Sequence, residues 1–104
     1  MEHQITLQLL DHAYTLVETT SGDWTGVGMG QSSMFNGKIM IQSTMPHDMR
    51  NSTIIHEIVH QISDILDLGI GEREDTVSGI AVGVYSFIKN NPELIREMLN
   101  KEIE

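Results

Sequence analysis

The stretch Thr53-Ile54-Ile55-His56-Glu57-Ile58-Val59-His60-Gln61-Ile62 decides how this 104-residue chain reads. His56 and His60 stand four residues apart, with Glu57 directly after the first. On a helix that spacing stacks the two imidazoles on one face, one turn apart, where both can reach a single ion. Glu57 lies about 100° further round, outside the ligand set but close to whatever else the ion binds. The pattern His-Glu-x-x-His on a helix is a metal-binding arrangement with the glutamate as general base. The helix itself is supported by apolar residues at helical spacing: Ile55, Ile58, Val59, Ile62, Ile65 and Leu66. The alternative is two surface histidines on an ordinary amphipathic helix.

Working outward, Pro46-His47-Asp48 precedes the helix, and Asp48, Asn51 and Ser52 are candidate N-caps. The helix is expected to run to about Leu68 and to stop at Gly69 and Gly71. Arg73-Glu74-Asp75-Thr76 opens a second helix with an apolar stripe of Val77, Ile80, Ala81, Val84 and Ile88. Asn91 as N-cap and Pro92 at the first position start a third, with Leu94, Ile95, Met98 and Leu99 on one face.

Before the motif, Asn36-Gly37 predicts a hairpin turn joining strands near residues 30–35 and 38–43. Residues 4–19 read as one or two strands, from Ile5, Leu7 and Leu9 and the β-branched run after Tyr14. Ser21-Gly22-Asp23 is a turn signal. The Gly-rich run Trp24 to Gly30 lacks the Lys-Ser/Thr of a phosphate loop and reads as irregular turns. The expected fold is α+β: a small, mostly antiparallel N-terminal sheet packed on the motif helix and two C-terminal helices, as a single domain over residues 1–104.

Composition narrows the function. Fifteen acidic residues against six basic ones give a formal charge of −9. The scattered basic residues form no patch for a phosphate backbone, so no nucleic-acid partner is expected. No stretch looks like a signal peptide or reaches membrane-spanning length, so no membrane association is expected. The absence of cysteine excludes thiolate metal sites and fits a reducing, cytoplasmic setting.

A catalytic metal usually has three protein ligands and an open position. No histidine follows His60, which removes the variant with a third imidazole downstream. Asp64 is eight residues from His56, roughly 12 Å along the axis, and suits an outer-shell or plain surface role. The acids Glu72, Glu74 and Asp75 remain, brought back by the glycine turn. Helical phase favours Glu74, which borders the Val77–Ala81–Val84 stripe, while Asp75 points about 100° further from the core. All three could instead merely favour the helix N-terminus. His3 and His12 read as ordinary polar residues; His47 and Tyr85 are candidate cleft residues for an oxyanion.

From Lys38 onward these features resemble the short zincin-like metallopeptidases encoded by phages and prophages, similar in turn to a reduced gluzincin, the class that includes thermolysin. The resemblance rests on Thr53 to His60, Glu74-x-x-Val77, Ala81-x-Gly83-x-Tyr85 and Asn91-Pro92-Glu93-Leu94. It implies a small zincin-like fold and one zinc ion held by His56, His60 and an acid of the next helix. It implies Glu57 as general base towards a zinc-bound water, a peptide or protein substrate, and a bacterial host cytoplasm. Such proteins often carry Asn where this chain has Val82 and an acid where it has Ser78. Those departures keep a second expectation open: a binding protein that retains the scaffold without catalysis. An edge strand, with 38–43 as the candidate, would hold extended substrate.

Overall fold

A computed structural model of the chain describes residues 3–19, 30–33 and 35–100. The turn expected at Ser21-Gly22-Asp23 and most of the Gly-rich run lie outside the described residues. Four strands, β1 (His3–Leu9), β2 (His12–Thr19), β3 (Gly30–Ser33) and β4 (Lys38–Gln42), precede three helices, α1 (His47–Leu66), α2 (Glu74–Asn90) and α3 (Pro92–Leu99). The architecture is α+β, as the residue pattern implies.

The sheet runs β1-β2-β4-β3 and is mixed. The β1–β2 and β3–β4 pairs are antiparallel, and the central β2–β4 pair is parallel. The expected hairpin forms, with Gly37 at φ 64 in its turn. The strand proposed as an edge, β4, is instead internal: β2 pairs on one side of it and β3 on the other. Its alternate residues Ile39 and Ile41 are fully buried, which suits a central strand and not a free edge.

Residues alternate across the pleat, so Tyr14 and Leu16 of β2 and Ile39 and Ile41 of β4 face the same side. Leu7, Leu9 and Met45 join them, and α1 covers them with Ile54, Ile58 and Ile65. The register pairs Ser32 with Ile39 and Gly30 with Ile41, so both β3 residues also face α1. At the start of α1, Arg50 reaches back to Glu18 of β2. α2 packs on the opposite side of α1 through Val77 and Ala81, both buried.

α1 therefore has two buried sides, and this corrects the single stripe read from the sequence. One side, Ile54-Ile58-Gln61-Ile65, meets the sheet. The other, with Val59 and Ser63, meets α2. Leu66 is exposed, while Gln61 and Ser63 are buried although neither is apolar.

Several helix ends also differ. No side chain caps α1, which starts at His47 after Pro46; Asp48 lies in its first turn. α1 ends at Leu66 because Asp67 takes the left-handed conformation, φ 55, and Leu68 N–H donates to Ser63 O at 2.9 Å. Asn91 occupies the cap position of α3, but its amide donates to Phe87 O at 2.9 Å and closes α2 instead. Beyond Ala81, α2 leaves Val84 and Ile88 partly exposed, and no residue of α3 is buried.

Candidate metal centre

The turn from Asp67 to Arg73 sets the start of α2 beside the middle of α1. Ser63 ties that turn down, since its hydroxyl accepts from Ile70 N–H at 3.2 Å. Glu74, the first residue of α2, is thereby carried over the two imidazoles. Its Oε1 lies 3.0 Å from His56 Nε2 and its Oε2 3.1 Å from His60 Nε2. The two rings meet edge to face with centroids 4.9 Å apart. One ligand atom from each of the three residues falls within 4.8 Å of the others.

That arrangement suits one metal ion. Donors in a tetrahedral shell with bonds of about 2.0–2.2 Å stand roughly 3.4 Å from one another. The Glu74 oxygens, 3.0 and 3.1 Å from the imidazole nitrogens, lie close to that separation. Two imidazoles and a carboxylate leave a fourth position, which the cleft provides. The cleft has a volume of about 360 Å³ and is lined by both histidines, Glu57 and Glu74. Ser78 and Val82, the two departures from the zincin-like pattern, line it as well. Glu72 and Asp75 do not belong to the converging group, which is His56, His60 and Glu74.

Glu57 lies on the sheet side of this cleft and is only 6% exposed. Ser32 Oγ donates to its Oε1 at 2.7 Å. Gln61 Nε2 donates to Ser32 Oγ at 2.8 Å, and Tyr14 OH donates to Gln61 Oε1 at 2.8 Å. Burial first, then the charge of Asp64, pushes the Tyr14 phenol above its ordinary value and keeps it a donor. β3 comes so close here that a β-carbon on Gly30 would sit 2.9 Å from Thr53 Cγ2 and 3.3 Å from Glu57 Oε2. Neither Tyr14, Ser32 nor Gln61 stands out in the sequence as a site residue. The one local signal is that Gln61 falls four residues after Glu57, on the same helix face.

Asp64 is exposed and lies against Gly71, where a β-carbon would be 3.5 Å from its Oδ1 and 3.9 Å from His60 Nδ1. It is thus near the outer edge of the His60 ring and apart from the ligand group. Tyr85 and His47 lie elsewhere. Tyr85 OH donates to Asp48 Oδ1 at 2.6 Å and accepts from Asn51 Nδ2 at 3.3 Å. The Asn51 amide also meets His47 Nε2 at 3.1 Å. Hydrogen bonds from Tyr85 and then Lys89 hold the Asp48 carboxyl below its ordinary value. Tyr85 lines a neighbouring recess that shares Ser52 and Val82 with the cleft, and neither Tyr85 nor His47 lines the cleft itself. The reason is register: His47 is the first residue of α1, about 2.5 turns before His56, and Tyr85 lies in the far half of α2, about three turns after Glu74.

The chain was compared with known families, curated proteins and solved structures, and it matches no family model, no curated protein and no solved structure. Among the described residues no helix is long and apolar enough to cross a membrane.

Proposed function

We propose that the protein is a zinc-dependent metallopeptidase of zincin-like design. The observation that carries this reading is the Glu74 carboxylate placed between His56 Nε2 and His60 Nε2, with Glu57 opening on the same cleft. His56, His60 and Glu74 would hold the ion. Bound zinc would supply Lewis acidity towards water and a carbonyl oxygen. Glu57 takes a proton from the water that attacks the scissile carbonyl carbon and passes it to the departing amine as the C–N bond breaks. The edge of β3 away from β4 pairs with no other described strand, so an extended peptide can add to it. That edge borders the cleft through Gly30.

A second reading, a zincin-like binding protein without catalysis, is favoured by Ser78 and Val82 at the cleft wall. One experiment separates the two. Zinc-loaded protein and its Glu57→Gln variant are incubated with a mixed peptide library and the products read by mass spectrometry. The peptidase reading expects cleavage that disappears with chelation and falls roughly 10²–10⁴-fold in Glu57→Gln, the range a general base contributes. Zinc binding without any Glu57-dependent cleavage would leave the binding-protein reading.

A further inference from the structure

Gln61 is a polar residue in an apolar row. It occupies the sheet-facing side of α1 between Ile58 and Ile65, and it is 2% exposed. A leucine there would pack against Tyr14 and add to the core. The amide therefore has some use other than packing, and its hydrogen bonds say which.

The direction of every bond in the chain follows from one end. Ser32 Oγ donates its single proton to Glu57 Oε1. Ser32 oxygen is then left as an acceptor, and the group facing it must be the NH₂ of Gln61. That turns Gln61 Oε1 towards Tyr14, whose phenol donates. All three donors point towards Glu57. With the Gln61 amide flipped, its oxygen would face Ser32 oxygen with no proton between them.

We propose that Tyr14, Gln61 and Ser32 are positioning residues that hold Glu57 by its Oε1 and reserve Oε2, on the Gly30 side, as the atom that takes and returns the proton. This rests on the peptidase reading above. The relay fixes the carboxylate rotamer and plane before substrate arrives. Its polarity is unchanged when Oε2 carries a proton, because Oε1 still accepts. The same oxygen can therefore receive the proton from water and release it to the amine, with no rotation of the carboxyl in between. None of the three relay residues is in the metal-donor group, so the relay acts on the base and not on the ion.

The test uses full-length Ser32→Ala, Ser32→Thr and wild-type protein. Zinc affinity is measured by chelator competition, kcat and KM on a peptide that the wild type cleaves, and thermal unfolding in a double-mutant cycle with Glu57→Ala. The expected result is a roughly 10–100-fold lower kcat in Ser32→Ala, part of the ~10²–10⁴-fold that a general base supplies. KM and zinc affinity stay within about twofold of wild type, since uniform binding and ligation are untouched. Ser32→Thr, which keeps the hydroxyl, restores kcat. The Tm losses of Ser32→Ala and Glu57→Ala are less than additive, because the two side chains share one bond. An unchanged kcat in Ser32→Ala, additive Tm losses, or a joint loss of kcat and zinc affinity overturns the relay and leaves the peptidase reading intact. A wild type that binds zinc and cleaves nothing overturns that reading and the relay with it.

Discussion

Tyr14→Phe removes one oxygen atom and nothing else. The ring stays, and its position is fixed by Leu16, Ile39 and Ile41 together with the apolar side chains of α1. What is lost is the donor at 2.8 Å from Gln61 Oε1, in a place where neither residue is more than 2% exposed. No water reaches that oxygen, so the variant leaves a buried acceptor unpaired. Such an orphan costs about 1–3 kcal/mol. For a chain of this size each kcal/mol corresponds to a Tm shift of ~4–8 °C. Tyr14→Phe should therefore lower Tm by roughly 4–24 °C, read by circular dichroism or calorimetry. In a Gln61→Leu background the phenol has already lost its partner, so the further change should be much smaller. Without its anchor at Tyr14 the Gln61 amide holds Ser32 less firmly, so activity should fall more than Tm alone explains. A Tyr14→Phe protein with wild-type stability would refute the reasoning, since it would mean that the phenol and the amide do not meet.

Two further outcomes follow from the same contacts. Gly30→Ala puts a β-carbon 2.9 Å from Thr53 Cγ2 and 3.2 Å from Glu57 Cγ, well inside the ~3.5–4.0 Å optimum for carbon pairs, so either β3 or the Thr53 and Glu57 side chains must give way. Overpacking of this kind costs about 1–3 kcal/mol, and the variant should lose stability and Glu57-dependent cleavage together. Acid stability should depend on Glu18, whose pKa is lowered from 4.5, chiefly by the hydrogen bond from Arg50, against an opposing effect of burial. A depressed carboxylate stabilises the fold above its unfolded pKa and loses that contribution as pH falls through the folded value. Glu18→Gln should thus be less stable than wild type at pH 7, by about 1.5–3 kcal/mol for a charged hydrogen bond. The gap should close below pH 4.5 in urea titrations across pH 7 to 3.

What the sequence made legible was local in chain terms. His56, Glu57 and His60 lie within two turns of one helix, so their spacing alone puts them together. Glu74 could be singled out because the turn is short and helical phase leaves few choices. The order of the strands was not legible in the same way. Nothing local distinguishes β4 as a central strand, and the parallel β2–β4 pairing joins segments separated by β3. The relay was hidden for a related reason. Gln61 and Ser32 are polar, and polar residues read as surface until tertiary contacts give them partners 29 residues away. The two buried sides of α1 blurred into one apolar stripe, because Ile55 and Ile62 sit between them. At its start α1 begins at His47, so Asp48 and Asn51 lie inside its first turns, where they meet Tyr85 and His47, and neither caps it.

The central claim is that one ion is gripped by His56, His60 and Glu74. The direct measurement is calorimetric titration of metal-free protein with zinc, repeated on Glu74→Ala. The wild type should bind one equivalent. Glu74→Ala should bind at least ~10–100-fold more weakly, the loss already seen when an outer-shell partner of a metal ligand is removed. Absence of binding to the wild type, or binding that Glu74→Ala leaves untouched, would contradict the account.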